Sequence, residues 1–117
     1  MVNRVIKKIK QDNPYEHKIL SRVSNDKLPN IALRNAVYNY YDSFRIKNYT
    51  GSLFAEKDGN ELVFYSYGYH FPIAKVDLRN NVAYFNTEKY SPTTSHHQSL
   101  VKRELIEYGF KIIPTEL

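Results

Sequence analysis

The first 48 residues place apolar side chains at the three- and four-residue intervals of amphipathic helices. Residues 1–11 carry such a stripe and predict a short helix, although a strand or a partly ordered arm fits the same residues. Asn13 followed by Pro14 is typical of a second helix start, because Asn caps well and proline fits the first turn. A longer helix is predicted from about Pro29 to just before residues 48–51, along these apolar positions: Ile31, Leu33, Ala36, Val37, Tyr40, Tyr41 and Phe44.

From Gly51 onward the pattern changes to the shorter period of strands. Asp58-Gly59 favours a hairpin turn, since glycine readily takes the positive φ that such turns need. The pattern predicts an antiparallel meander of about four strands: residues 52–56, 61–67, 71–77 and 82–87.

Ser91-Pro92 predicts one more helix after the meander, reaching about Tyr108 and ending at Gly109. Residues 110–113 are compatible with a short edge strand. The predicted fold class is therefore α+β, with N-terminal helices, the meander and a C-terminal helix packed on the sheet. We expect a single domain over residues 1–117, made of a basic helical region (1–48) and the meander with its helix (49–117).

Composition and charge narrow the functional classes. The chain has no cysteine, which excludes disulfides and cysteine-based metal sites. It has no apolar run of the roughly 20 residues that span a bilayer, so we expect a cytoplasmic protein with no membrane partner. Residues 1–55 carry ten Lys or Arg against four acids, whereas residues 56–117 carry seven against eight. This asymmetry indicates either an anionic partner for the first half or a solvated basic surface.

The first candidate site combines cations with aromatic rings, which single-stranded nucleic acids meet through phosphates and bases. Its alternative is a helix that docks on the sheet through some of the same rings. The predicted partner-binding or nucleic-acid-binding residues are Arg4, Lys7, Lys8, Lys10, Tyr40, Tyr41, Arg45 and Lys47.

The second candidate site lies at the start of the C-terminal helix, where free N–H groups and the helix dipole attract anions. The alternative is that the hydroxyls only cap the helix. The residues of this predicted anion site are Lys89, Ser91, Thr93, Thr94 and Ser95.

The four histidines do not predict a metal site, because His96 and His97 are adjacent and no His-x-x-x-His spacing occurs. The sequence predicts no cofactor. It also carries no nucleophile or phosphate-loop motif, so we expect no catalysis. An enzymatic alternative would require His70, His97 and a carboxylate to converge in a cleft.

An ordered series of short motifs lies between Tyr65 and Gln98. The motifs are Ser66-Tyr67-Gly68, Pro72-Ile73-Ala74, Tyr84, Asn86-Thr87, Lys89-Tyr90-Ser91, Thr93-Thr94-Ser95 and His97-Gln98. This series resembles an uncharacterised small domain of tailed bacteriophages and other bacterial mobile elements. The resemblance covers about residues 49–98 and implies an antiparallel meander that ends in a helix, but it implies no activity.

These observations lead to a functional hypothesis. We expect a non-catalytic phage or mobile-element protein that binds and inhibits a host defence or nucleic-acid-processing protein complex, as an anti-CRISPR or similar anti-defence inhibitor does. It would act in the cytoplasm of the bacterial host cell. The alternative is a regulatory protein that binds DNA or RNA directly, with an affinity that falls steeply with salt.

Overall fold

The computed structural model describes residues 17–38 and 41–117, which form a seven-stranded sheet and two helices. In chain order the elements are β1 (His17–Ile19), α1 (Leu28–Tyr38), β2 (Ser43–Lys47), β3 (Leu53–Asp58), β4 (Glu61–Ser66), β5 (Pro72–Asp77), β6 (Val82–Asn86), α2 (Pro92–Glu107) and β7 (Lys111–Thr115).

The strands lie side by side in the order in which they follow one another along the chain. Neighbours from β2 to β6 are antiparallel, whereas β1 is parallel to β2 and β7 is parallel to β6. Parallel neighbours need a crossover connection, which α1 and α2 provide. The two helices touch each other and pack on the same side of the sheet; Asn30 Nδ2 donates to Glu104 Oε1 at 3.3 Å. We call the opposite side the open face, because no described element covers it.

The hydrophobic core lies between the helices and the sheet. Successive strand residues point to opposite faces, so every second residue faces the helices. The strands contribute Phe44, Ile46, Ala55, Leu62, Phe64, Ala74, Val76, Ala83 and Phe85, and the helices contribute Leu28, Ala32, Leu33, Val101 and Leu105. This one-sided core leaves the open face to carry polar and aromatic side chains.

The predicted architecture is wrong in its number of strands and, over the described residues, in the extent of its N-terminal helices, of which α1 is present. The four predicted strands are present as β3 to β6, and the edge strand expected at residues 110–113 is present as β7. Two unpredicted strands, β1 and β2, extend the meander into a mixed seven-stranded sheet. The described part of the region predicted as helical, residues 17–38 and 41–48, contributes two of these strands.

The longest predicted helix stops at Tyr38, and the residues that follow residue 42 form β2. Phe44 and Ile46 are buried against the helices, whereas Arg45 and Lys47 lie on the open face. This alternation has the period of a strand. The three-residue spacing of Tyr41 and Phe44 is compatible with a helix as well as with a strand. The prediction of a helix was wrong because tertiary pairing with β3 selects the strand.

The helix predicted to begin at Asn13-Pro14 is also wrong where it can be compared, since residues 17–19 form β1. Residues 1–16, with the predicted N-terminal helix and this helix start, lie outside the described residues. The backbone of β1 pairs with the edge of β2, and the N–H of Leu20 continues that pairing to the carbonyl of Arg45 at 2.9 Å. No local pattern in the sequence signals this pairing.

The C-terminal helix is confirmed and its ends have local causes. Ser91 is the N-cap of α2, and its Oγ accepts a hydrogen bond from the backbone N–H of Thr94 at 3.1 Å. After the helix, Gly109 takes a φ of +86°, where a side chain would be strained. Among the described residues, no helix is long and apolar enough to cross a membrane.

Candidate nucleic-acid interface

A single register row of side chains crosses the open face from β2 to β7. The row begins with a basic side chain on β2 and an acidic side chain on β3, and it ends with an aromatic side chain on β6 and an apolar side chain on β7. The row consists of Arg45, Glu56, Val63, Lys75, Tyr84 and Ile113. Lys75 and Tyr84 are exposed, whereas Val63 is buried by its longer neighbours. The centre of the face is therefore closely packed, and the groups available to a partner lie around it.

Three aromatic rings pack together on the open face beside this row. Phe54 and Tyr65 stack with their centroids 5.0 Å apart, and Tyr69 meets both rings edge-on at 5.3 and 5.0 Å. Phe54 is only 6% exposed, while Tyr69 is 60% exposed. Phe54 and Tyr65 thus form a support, and Tyr69 is the ring of this cluster that presents most of its surface to a ligand.

Glu56 ties this aromatic cluster to the neighbouring cation. Its Oε2 accepts a hydrogen bond from the Tyr69 hydroxyl and lies 3.9 Å from Nη1 of Arg45. The hydrogen bond raises the pKa of Tyr69, and burial together with the charge of Glu56 raises the pKa of Tyr65. Both phenols therefore stay protonated at neutral pH, and Glu56 holds Tyr69 and Arg45 in place.

A basic groove lies at the β1–β2 side of the open face. It has a volume of about 230 Å³ and is lined by Ile19, Leu20, Arg22, Arg45 and Lys47. Nη1 of Arg22 donates to the carbonyls of Asn48 and Tyr49 at 3.0 and 3.1 Å, which fixes the guanidinium group. Three of the five lining residues are cations and none is acidic; Glu56, outside the lining, offsets the charge of Arg45, so the groove keeps a net positive charge.

Lys47 links the basic groove to the aromatic cluster. Its Nζ lies 5.8 Å from the centroid of the Phe54 ring, within the range of a cation–π interaction. The cations and the exposed Tyr69 are therefore parts of one continuous surface. A ligand that carries both negative charges and flat rings matches this arrangement better than a purely ionic one.

Exposed tyrosines also line the loops at the end of the sheet where β2, β4 and β6 finish. Tyr49, Tyr67 and Tyr90 are 69, 51 and 64% exposed, respectively. Tyr67 has a φ of +64°, an uncommon conformation for a residue with a side chain. We call these three residues the tyrosine rim.

A buried polar chain lies beneath Tyr67, one of the residues of the tyrosine rim. The Oγ of Ser66 lies 2.8 Å from Nδ1 of His97 and 3.1 Å from Oγ1 of Thr94. The ring of Tyr67 lies over this chain, 6.0 Å from that of His97. Burial, with a smaller contribution from His96, lowers the pKa of His97. The motif residues of the sequence thus converge here, but Ser66 and His97 are too deeply buried to meet a substrate.

The residues of the predicted anion site at the start of α2 divide between cap and surface. Ser91 and Thr94 bond to each other through their hydroxyls at 3.2 Å, and Thr94 is fully buried. Lys89 and Thr93 are exposed, and Ser95 is partly buried. Ser91 therefore caps the helix, and the hydroxyl of Thr94 is occupied by Ser91 and Ser66.

Of the predicted partner-binding residues, the structure brings Arg45 and Lys47 together in the basic groove. Tyr41 is partly buried just before β2, with Nζ of Lys18 5.7 Å from its ring centroid. The remaining predicted residues, Arg4, Lys7, Lys8, Lys10 and Tyr40, lie outside the described residues.

The sequence alone did not identify Arg22, Tyr69 and Tyr84 as residues of the candidate binding surface on the open face. Polar and apolar side chains alternate in residues 43–47. Interpreted as a strand, this pattern would have placed Arg45 and Lys47 on the same face of the sheet, beside residues of the following strand. Arg22 had no such signal, because its place depends on the pairing of β1 with β2.

The histidines occupy different environments. His70 is exposed with its ring 6.4 Å from that of Tyr90, whereas His97 is buried. Within residues 17–38 and 41–117, no group of three or more His, Asp or Glu side chains is arranged to hold a metal ion.

Comparison of the chain with models of protein families, with curated proteins and with solved structures finds no match.

Proposed function

We propose that this protein is a non-catalytic binding protein that holds a short stretch of single-stranded nucleic acid on its open face. The observation that carries the proposal is the convergence of Arg22, Arg45 and Lys47 in one groove beside the exposed ring of Tyr69. Cations of this kind meet phosphates, and an exposed ring stacks on an unpaired base.

The geometry favours a single strand over a duplex. Bases in a duplex are already stacked on each other, so an aromatic side chain on a sheet reaches them only when they are splayed out. The groove is small, at about 230 Å³, and its three cations suit only a few phosphates. We therefore expect a short footprint with modest affinity and little preference for base sequence.

The proposal also includes a cellular location, which is inferred from the sequence. The resemblance of residues 49–98 to a small domain of phages and mobile elements supports a role in the cytoplasm of a bacterial host cell. There, a protein that occupies single-stranded nucleic acid would interfere with complexes that process it.

The proposal is tested by fluorescence anisotropy with labelled single-stranded DNA and RNA of about twelve nucleotides and with the matching duplexes. The double variant Arg45→Gln, Lys47→Gln removes two cations while keeping polar, unbranched side chains at both positions. With three phosphate contacts, log Kobs should fall with log salt at a slope of about −2, and the variant should reduce this slope to about −0.7.

The matched control is Arg79→Gln, Lys111→Gln, which removes the same two residue types from exposed positions away from the groove. It should keep the slope. Tyr69→Leu should weaken binding by about five- to a hundredfold, since stacking on one base contributes about 1–3 kcal/mol. The proposal fails if the protein does not bind single strands at low salt, or if the two double variants lose the same amount of affinity.

A second candidate function is the protein-directed anti-defence inhibitor. The observation that favours it is a row of carboxylates at the opposite end of the same face, where Asp58, Glu61 and Asp77 pair in register on three neighbouring strands. A face with a basic end and an acidic end suits a protein partner of complementary charge. A bacterial protein complex captured by the wild-type chain after nuclease treatment, and lost by the variant Asp58→Asn, Glu61→Gln, would support this function.

A further inference from the structure

A second cavity lies on the helix-covered side of the sheet, between α2 and the edge strand β7. Its volume is about 380 Å³. One wall is a polar stripe of α2 at helical spacing, formed by Ser95, Gln98, Ser99 and Lys102, and the opposite wall is formed by Phe85, Ile112 and Pro114. The cavity therefore offers an apolar surface to a flat ring and polar groups along one side.

Gln98, which lines this wall, carries a buried hydrogen-bond acceptor that is held in a fixed orientation. Its Nε2 donates to the carbonyls of Asn86 and Glu88 at 2.9 and 3.0 Å, which determines the orientation of the amide. The side chain is 5% exposed, and Oε1 has no hydrogen-bond partner among the described residues. A buried acceptor without a partner is costly, so a donor from a ligand would stabilise this position.

Two cations and no acid line the same cavity. Nζ of Lys102 lies 5.7 Å from the centroid of the Phe85 ring, over the apolar wall, and Lys89 lines the cavity as well. Lys89 and Ser95, which the sequence placed in an anion site at the helix start, thus belong to a cavity that also includes Gln98 and Lys102. The lining attracts an anion.

We propose that this cavity binds a nucleoside monophosphate, with the base against Phe85 and Pro114, an N–H or O–H donor directed at Oε1 of Gln98, and the phosphate between Lys89 and Lys102. The same chemistry is presented by a free nucleotide and by the 5′-phosphorylated end of a strand. This site is separate from the basic groove and does not rest on the function proposed for the open face.

The test is a ¹H–¹⁵N NMR titration of the full chain with adenosine and uridine 5′-monophosphate, inorganic phosphate, and a tetranucleotide with and without a 5′-phosphate. We expect the side-chain amide signals of Gln98 and the backbone signals of Ser99 and Lys102 to shift on adding nucleotide. If the phosphorylated tetranucleotide binds more strongly than the mononucleotides, the site is assigned to strand ends. If it binds equally or more weakly than the mononucleotides, the site is assigned to free nucleotides. Either result supports the proposal.

Matched variants separate this site from other sources of affinity. Lys102→Gln and Lys89→Gln should each weaken nucleotide binding by about five- to tenfold, the loss of one charge-assisted contact. Arg103→Gln, an exposed change on the same helix outside the cavity, should leave it unchanged. The proposal is overturned if the cavity signals stay unshifted, if inorganic phosphate binds as well as nucleotide, or if Arg103→Gln loses as much affinity as Lys102→Gln.

Discussion

At the scale of single residues, His97 links Ser66 of the sequence motif to the ring of Tyr67 in the tyrosine rim. Its ring is fully buried, its Nδ1 is bonded to Ser66, and its Nε2 has no hydrogen-bond partner among the described residues. A charged imidazolium in this position would lack both solvent and a nearby acid. The folded protein therefore favours the neutral ring, in agreement with the lowered pKa of His97.

Stability should consequently depend on pH through His97. In the unfolded chain this ring takes up a proton near its ordinary pKa of 6.5, whereas the folded chain does so only at lower pH. The unfolded state then binds more protons below pH 6.5, so the free energy of unfolding falls as the pH drops. We expect a loss of at most about 1.4 kcal/mol per pH unit, measured by urea unfolding between neutral and mildly acidic pH.

Two variants check this assignment. His97→Gln removes the titrating group, so the pH dependence of its unfolding free energy should be weaker than that of the wild type even if the variant is less stable overall. His96→Gln removes the smaller contribution of the neighbouring ring and should retain most of the wild-type dependence. Equal pH dependence in wild type and His97→Gln would refute the role of His97.

At the scale of elements, β2 joins the core to the basic groove. Its buried residues, Phe44 and Ile46, contact the helices, while Arg45 and Lys47 project from the other side. The position of the two cations therefore follows from the packing of their neighbours. A loss of packing on one side of this strand would displace the groove on the other.

This coupling predicts a large difference between neighbouring substitutions in β2. Ile46→Ala leaves a cavity at a site that is 1% exposed and should cost about 2–4 kcal/mol of unfolding free energy. Arg45→Ala should cost less than about 1 kcal/mol, because its pair with Glu56 is long and partly exposed. Chemical denaturation of both variants is the measurement, and similar losses would contradict the placement of these residues on opposite faces.

At the scale of the whole molecule, charge is separated along the strands of the open face. The basic groove lies at the end of β2, and the acidic row of Asp58, Glu61 and Asp77 lies at the opposite end of the sheet. Backbone and side-chain hydrogen bonds from Asn80 lower the pKa of Asp77, so this carboxylate stays charged at neutral pH. For the proposed binding of a nucleic acid, we expect the acidic row to limit how far the strand extends along the face.

Removing this repulsion should strengthen nucleic-acid binding. The variant Asp58→Asn, Glu61→Gln is expected to bind single strands about two- to fivefold more tightly at low ionic strength. The gain should vanish at high salt, where charges farther apart than the Debye length no longer interact. Anisotropy titrations at two salt concentrations measure both effects. A gain that is independent of salt would show that the acids act through structure instead of charge.

Local signals explain what could be predicted from the sequence. Asp58-Gly59 indicated the β3–β4 hairpin, Ser91-Pro92 the start of α2, and Gly109 its end, and each contains the chemistry of the turn or cap that it forms. For the candidate site, Arg45 and Lys47 were identified by their charge among aromatic residues. Their partners Arg22 and Tyr69 come from distant parts of the chain and could not be identified in this way.

The sequence by itself determined the antiparallel meander and the C-terminal helix, because hairpin turns, caps and period-two patterns act between residues close along the chain. Tertiary structure decided that residues 17–19 and 43–47 are strands and that β7 forms an edge of the sheet, parallel to β6. A parallel strand is defined by hydrogen bonds to a neighbour that lies a whole helix away in sequence. The same long-range pairing gathers Arg22, Arg45 and Lys47 into one groove.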